Sequence, residues 1–216
     1  GPTIRTNTAR GFKAWLAAQQ VVARCDTEAC VFVYYQPRAA QLAKAGITLN
    51  LAPVTDLNVN PRNPIIGGLG RSFSADPRVV TAAARQFIRA HRAAGLATCL
   101  KHFPGHGSTS ADSHLGLPDI TQSWSEAELD PFAQLVSEGL ADSVMMAHLF
   151  HASMSDGRFQ PTSLSKRAVQ MLRRDIGFDG PIITDDLQMG AVRNAYSEAA
   201  SVREAMVAGN DLLIFG

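Results

Sequence analysis

The feature that most constrains the fold is an alternation of short apolar runs with longer segments of helical pattern. Such runs suit strands that are buried on both faces, and helices between them allow the crossovers that parallel strands need. We predict strands at residues 47–53, 97–103, 143–149, 181–185 and 211–215. The sequence therefore predicts an α/β fold built around a parallel sheet.

Helix boundaries are indicated by capping residues. Asp76 and Pro77 have the pattern of an N-cap and first helical residue, and this helix is expected to continue to Gly95. Ser125 and Glu128 have the spacing of a capping box. Two further helices are predicted near residues 165–176 and 197–208, with stop signals at Gly177 and Gly209.

Polar residues at the ends of four predicted strands distinguish two parallel-sheet architectures. These residues are Asp56 and Asn58, His102 and His106, His148 and His151, and Asp185 and Asp186. A barrel gathers all its C-terminal strand ends at one mouth, whereas an open sheet binds ligands mainly at a switch point. The pattern favours a (β/α)8 barrel of the TIM type. Only five of its eight strands are recognisable, so we predict a partial barrel in a single domain over residues 1–216.

Composition narrows the classes of function. Hydrophobic residues make up 46% of the chain and charged residues 18%, which is typical of a globular protein with a core. A net charge of +1 provides no basic excess for phosphate binding, so we expect no nucleic-acid partner. We also expect no membrane span, because no run of about 18 apolar residues is present. The cytoplasm is the expected compartment, with the periplasm as the alternative.

Several cysteines and histidines carry weaker expectations. Cys25 and Cys30 could form a local disulfide in an oxidising compartment, and two reduced thiols are equally compatible with the sequence. Cys99 is expected to be buried, and His91 is expected on the surface of a helix. His148 and His151 are candidates for lining a pocket.

The segment KHFPGHGSTSADSH, residues 101–114, concentrates titratable groups in a chain that must turn sharply. In its D-S-H portion, Asp112 can accept a hydrogen bond from one imidazole nitrogen of His114 and leave the other nitrogen for a substrate. Such a contact fixes the tautomer and favours proton transfer near neutral pH. The alternative is that Asp112 only caps a turn and His114 is solvated.

The segment ITDDLQMGA places two carboxylates at the end of a predicted strand. Alternation along the strand points one of Asp185 and Asp186 into a barrel mouth and the other toward the wall. Only one of them can be a reacting group. Alternatively, one caps the following helix and the other faces solvent.

Three motifs in this order, IGGLGRSFSADP, KHFPGHGSTSADSHLGLP and GFDGPIITDDLQMGA, resemble the β-N-acetylglucosaminidases of glycoside hydrolase family 3. The resemblance covers nearly the whole chain. It implies that Asp185 is the nucleophile of a retaining exo-glycosidase and that His114, with Asp112, is its acid/base. It further implies that Arg71, Lys101 and His102 bind the sugar, and that neither a metal ion nor a cofactor takes part. The implied substrate is a small N-acetylglucosamine-containing saccharide, such as a cell-wall muropeptide fragment.

Two departures from the family keep other functions open. The chain begins just after the family's early D-x-E-G-G-type segment and stops before its C-terminal helices, so an isolated chain is expected to self-associate through open strand edges. One alternative is an inactive sugar-binding fragment. The other is a metal-dependent barrel hydrolase, with ligands drawn from His102, His106, Asp112, His114, His148 and Asp185.

Overall fold

The computed structural model describes residues 15–216, which form an α/β structure whose strand pairings are all parallel. The strands are β1 (Leu49–Asn50), β2 (Ala97–Thr98), β3 (Leu100–Phe103), β4 (Val144–Met146), β5 (Ile182–Asp186) and β6 (Leu212–Ile214). The α-helices are α1 (Ala18–Arg24), α2 (Glu28–Lys44), α3 (Pro77–Arg92), α4 (Asp130–Ser137), α5 (Lys166–Gln170), α6 (Gly190–Arg193) and α7 (Glu198–Ala208). Each of the five predicted strand regions overlaps a strand, and the region 97–103 contains both β2 and β3.

The strands follow one another in chain order. β1 pairs with β2, and the order β3-β4-β5-β6 is continuous in the second sheet. A bridge between Val54 and Lys101 continues the pairing of the first strand region beside β3. An open doubly wound sheet reverses its strand order at a switch point, and no reversal occurs in residues 15–216. The described chain is therefore part of a (β/α)8 barrel, as predicted.

Side chains alternate between the two faces of this barrel wall. Leu100, Val144 and Ile182 belong to the main core, which packs against Phe87 of α3 and Phe132 of α4. The residues next to them form a separate apolar cluster on the other face, namely Cys99, Met145 and Ile183 with Leu49, Leu51 and Ile214. Because strand side chains repeat every second residue, Lys101 shares a face with Cys99, and Asp185 shares a face with Ile183. The second cluster therefore lies on the same face of the barrel wall as Lys101 and Asp185.

Helix α3 begins as predicted, with the Asp76 carboxylate accepting the backbone N–H of Arg78 at 2.9 Å. The prediction that His91 lies on the surface is wrong, because this residue is fully buried. Its ring stacks on Phe87 at 3.9 Å between ring centres, and its Nδ1–H donates to the Phe87 carbonyl at 2.8 Å. Its Nε2 accepts from the Asn50 amide at 2.9 Å. Both ring nitrogens are therefore satisfied inside the core, and burial lowers the pKa of His91 to about 4.

The predicted capping box at Ser125 and Glu128 is also wrong. The Ser125 side chain makes no capping hydrogen bond, and a 3₁₀ turn, Glu126–Leu129, precedes α4. Glu128 is fully buried, with its side chain against Gly105. Tertiary packing has overridden the local pattern here. By contrast, α7 has the expected ends, because the Ser197 hydroxyl caps it and Gly209 adopts φ +105° after it.

Cys25 and Cys30 are joined by a disulfide that links the end of α1 to the start of α2. This selects one of the two states that the sequence left open. Cys99 is buried, as expected.

Candidate active site

A cavity of about 290 Å³ lies at the C-terminal ends of the strands. It is lined by five of the six residues that the sequence singled out, namely Arg71, Lys101, His102, His114 and Asp185. The sixth, Asp112, contacts the cavity through His114. The structure thus brings together residues that are up to 114 positions apart, the distance along the chain from Arg71 to Asp185.

Asp185 and Asp186 end β5 and have different surroundings. One carboxylate oxygen of Asp185 accepts the backbone N–H of Asp186 at 2.9 Å. Oδ1 of Asp186 accepts the backbone N–H groups of Gln188 at 2.9 Å and of Gly216 at 3.1 Å. Both residues line the cavity, but Asp186 also organises the chain after β5, whereas Asp185 lies near its cationic side chains.

Asp185 is held in its anionic form. Burial alone would raise the pKa of this carboxyl, but the groups around it together outweigh that effect and bring the pKa of Asp185 below its ordinary value. These groups include the Asp186 N–H and the Lys101 ammonium. A carboxylate that stays deprotonated among polarised donors is suited to nucleophilic attack.

Lys101 and Arg71 supply the positive charge on this side of the cavity. Lys101 is almost completely buried, and its backbone carbonyl accepts the Thr55 N–H at 2.7 Å. Burial, and next the Arg71 charge, lower the pKa of Lys101, while Asp185 opposes them. Arg71 donates from its guanidinium to the Ile65 carbonyl at 2.9 Å. Both side chains have several donors, which suits a ligand that is rich in hydroxyl groups.

His102 is oriented by Asp56, a residue whose function the sequence did not reveal. The His102 Nδ1–H donates to Oδ2 of Asp56 at 2.7 Å. Oδ1 of Asp56 accepts the backbone N–H groups of His102 at 3.0 Å and of His106 at 2.8 Å. This arrangement leaves Nε2 of His102 for the cavity. Burial first, and then the Arg71 charge, hold the pKa of His102 well below its usual range, so the ring is uncharged near neutral pH.

Asp112 and His114 lie on an exposed loop and form the contact that the D-S-H spacing allowed. Oδ1 of Asp112 accepts both the His114 backbone N–H at 2.8 Å and the His114 Nδ1–H at 2.7 Å. Partial burial opposes the ionisation of Asp112, but these two hydrogen bonds outweigh it, and the pKa of Asp112 is lowered. The carboxylate thus caps a turn and also orients an imidazole, so the two interpretations of this motif coexist.

The other candidate histidines are engaged elsewhere. His148 is buried, donates from Nε2 to the Asp186 carbonyl at 2.9 Å and accepts the Ser163 hydroxyl at 2.7 Å. His151 packs against the Trp124 ring and contacts the Ser153 hydroxyl. Neither lines the cavity. Across residues 15–216, no three His, Cys, Asp or Glu side chains are placed to share a metal ion. In the same part of the chain, every helix is too short or too polar to cross a bilayer.

Several known proteins are similar to this chain in sequence and in fold. A β-hexosaminidase of Tolumonas auensis is 42% identical over 182 residues, which are 82% of this chain and 52% of that protein. The β-N-acetylhexosaminidase structure from Beutenbergia cavernae superimposes with a TM-score of 0.87 at 32% identity, covering 95% of this chain and 62% of that one. A family 3 β-N-acetylglucosaminidase structure from Paenibacillus sp. FPU-7 gives a TM-score of 0.83 at 32% identity, with coverages of 92% and 37%.

These relatives are longer than the chain, which spans from about a third to half of the first curated proteins it matches. Residues 8–215 match the model of the glycosyl hydrolase family 3 N-terminal domain. The match covers nearly all of the sequence, and the barrel wall fits it. The chain belongs to glycoside hydrolase family 3.

Proposed function

We propose that this chain carries the catalytic site of an exo-acting β-N-acetylhexosaminidase that removes terminal β-linked N-acetylglucosamine with retention. The observation that carries the proposal is one cavity that holds both an anionic Asp185 and a carboxylate-oriented His114. A retaining glycosidase needs one carboxylate nucleophile and one proton donor on either side of the scissile bond. The β-hexosaminidase relatives support the sugar specificity.

The reaction follows from these two groups. In the first step Asp185 attacks the anomeric carbon, and the His114 imidazolium gives its Nε2 proton to the leaving oxygen. The bond to the aglycone breaks as the bond to Asp185 forms. In the second step neutral Nε2 takes a proton from water, and the water oxygen displaces Asp185 with the β configuration restored. Asp112 accepts the Nδ1–H throughout and stabilises the charged imidazole.

The remaining cavity residues hold the sugar in this proposal. Lys101 and Arg71 donate hydrogen bonds to hydroxyl oxygens, and Nε2 of His102 accepts one from a hydroxyl group. A muropeptide-type fragment is the proposed natural substrate. Because His114 adds no negative charge when neutral, phosphate could replace water as the acceptor, and release of a sugar 1-phosphate in phosphate buffer would reveal this.

The Asp185→Asn variant tests the proposal. We expect turnover of an aryl β-N-acetylglucosaminide by the full-length protein to fall by about 10⁴-fold or more, because the nucleophile is lost. The free energy of unfolding should also fall near neutral pH, because the lowered pKa of Asp185 means that its anionic form stabilises the fold, so activity is compared on protein that is shown to be folded. Peptide mapping of the wild-type protein after trapping with a slow substrate should find one N-acetylhexosamine on the peptide that contains Asp185.

Asp186→Asn is the matched control for this experiment. The amide oxygen of asparagine can accept the same two backbone N–H groups, so this variant should keep most of its activity. Equal losses in the two variants, or a trapped sugar on another residue, would contradict the assignment of Asp185. Absence of any hydrolysis by the full-length protein would leave the inactive sugar-binding alternative.

The disulfide bears on the proposed compartment. Cytoplasm was the expectation from the sequence, with the periplasm as the alternative, and a Cys25–Cys30 disulfide favours the periplasm because such bonds persist in oxidising surroundings. Alkylation of free thiols in intact cells, followed by mass analysis of the peptide that contains both cysteines, would decide between the two.

A further inference from the structure

The loop that carries His114 is docked on the segment that follows β5. Three consecutive carbonyls of this loop, those of Ser113, His114 and Leu115, accept hydrogen bonds from α6 and the residue after it. The Gly190 N–H donates to His114 O at 3.1 Å, the Ala191 N–H donates to Ser113 O at 3.0 Å, and the Asn194 amide donates to Leu115 O at 3.1 Å. We call residues 112–116 the acid/base loop.

Gly190 allows this docking because it has no side chain. A Cβ atom at this position would lie 2.5 Å from the His114 carbonyl oxygen and 2.8 Å from the Leu115 carbonyl carbon. Both of these are backbone atoms, so no side-chain rotation could relieve the overlap. The backbone of α6 and the backbone of the acid/base loop are therefore in direct contact.

This contact links the two proposed reacting groups through a short path. Asp185 ends β5, and only the turn 187–189 separates Asp186 from Gly190. That turn is held by the Asp186 carbonyl, which accepts the Met189 N–H at 3.0 Å. On its other side the acid/base loop is fixed through the Ser113 hydroxyl, 3.1 Å from Nε2 of His106.

We propose that Gly190 and Asn194 are positioning residues that hold His114 at the correct place relative to Asp185. The inference rests on the proposed function, because it assigns a purpose to the docking only if His114 transfers a proton. Asn194 lies on the exposed side of its segment, and its amide is the only side chain among the three donors. Its replacement therefore perturbs the loop without removing a buried group.

The test uses two substrates of the full-length enzyme that differ in leaving group. Nitrophenolate departs without a proton, whereas an alkoxide leaving group needs one. Because kcat/KM reports the first step of the reaction and not the later attack of water, it should depend on the placement of His114 only for the alkyl glycoside. For Asn194→Ala we expect kcat/KM on the alkyl glycoside to fall about tenfold and on the nitrophenyl glycoside to stay within about twofold. Arg193→Ala is the matched control, since its exposed side chain makes no hydrogen bond to the loop.

Gly190→Ala should have a larger effect of the same kind, about 10²-fold on the alkyl glycoside, because the loop backbone must move away. If this variant does not fold, Asn194→Ala still decides the matter. Equal losses of kcat/KM on both substrates, or no loss on either, would overturn the proposal.

A double-mutant cycle separates this inference from the function on which it depends. In a His114→Ala background, Asn194→Ala should change kcat/KM on the alkyl glycoside by less than about twofold, because the imidazole that Asn194 positions is absent. An undiminished tenfold loss there would overturn the inference. If His114→Ala itself affects both substrates equally, the acid/base role has failed. If His114→Ala is selective and Asn194→Ala is not, only the positioning role has failed.

Discussion

Two histidine–carboxylate pairs flank the same cavity with almost identical contacts and opposite surroundings. In each pair Nδ1 lies 2.7 Å from a carboxylate oxygen. The side chains of His102 and Asp56 are 6% and 0% exposed, whereas those of His114 and Asp112 are 54% and 26% exposed. The same hydrogen bond therefore serves in the wall of the barrel in one case and on its surface in the other.

The difference in burial separates two tasks. Asp56 accepts two backbone N–H groups as well as the imidazole, so it holds the chain from His102 to His106 in place. Such rigidity suits the sugar-binding role that is proposed for His102. Proton transfer instead requires access to water and to a departing group, and the 54% exposure of the His114 side chain allows the access that the proposed function needs. We infer that position in the fold, rather than the type of pair, decides which histidine can act as the acid/base.

The largest expected effect comes from removing the carboxylate of the buried pair, and the exposed pair provides the comparison. Asp56→Ala should lower the free energy of unfolding by about 1–3 kcal/mol for each buried donor that it leaves without an acceptor, and Asp56 accepts from three. Asp112→Ala should cost less than about 1 kcal/mol, as is typical of exposed pairs. Urea unfolding of both variants, with m-values compared to the wild type, measures the two costs. Similar costs would show that the two pairs do not differ in the way their burial indicates.

Sequence reasoning found the exposed pair and missed the buried one for a physical reason. Asp112 and His114 are two residues apart, so a single bend brings them together. Asp56 and His102 are 46 residues apart, and only the pairing of adjacent strand regions places them side by side. Asp56 was visible as a polar residue after a strand, but its partner was not.

Local patterns failed in the same way elsewhere. Ser125 and Glu128 match a capping box, yet Glu128 is drawn inward against Gly105 by the packing of α4. The surface prediction for His91 is a similar case. Its spacing of four from Phe87 placed it on the buried face of α3, and this periodicity was the signal that could have corrected the assignment. The strand regions were predictable because their apolar runs depend on burial itself.

Glu128 extends the comparison of the two pairs, because it is a buried carboxyl that has no histidine partner. Its expected effect on stability is of intermediate size. Burial, only partly offset by the Ser108 hydroxyl, raises its pKa from 4.5 to about 7. The folded protein then holds a proton that the unfolded chain releases, so this group lowers stability as pH rises from about 4.5 to about 7 and has a constant effect above. Between these pH values, Glu128 lowers the free energy of unfolding by about 3 kcal/mol in total.

Glu128→Gln isolates this effect, since glutamine has nearly the same shape and does not titrate. We expect the wild type to lose stability relative to the variant as pH is raised from 5 to 8, because other groups cancel in the difference. Urea unfolding of both proteins at several pH values measures it. If the difference in unfolding free energy between the two proteins does not vary with pH, Glu128 is not a desolvated carboxyl. Its side chain would then be less completely buried than that of Asp56.

The smallest expected effect is the response of the two pairs to salt. Raising the ionic strength to about 1 M shortens the screening length to about 3 Å, which weakens charge interactions that solvent ions can reach. The cost of Asp112→Ala should then fall by a few tenths of a kcal/mol, within the small total that an exposed pair contributes. The cost of Asp56→Ala should stay the same, because ions cannot approach a carboxylate that is 0% exposed.

Unfolding of the wild type and both variants in low and high salt gives the two costs directly. An equal decrease for Asp56→Ala would mean that solvent ions reach the Asp56–His102 pair. The idea that a rigid, buried part of the barrel wall holds His102 in place would then be wrong.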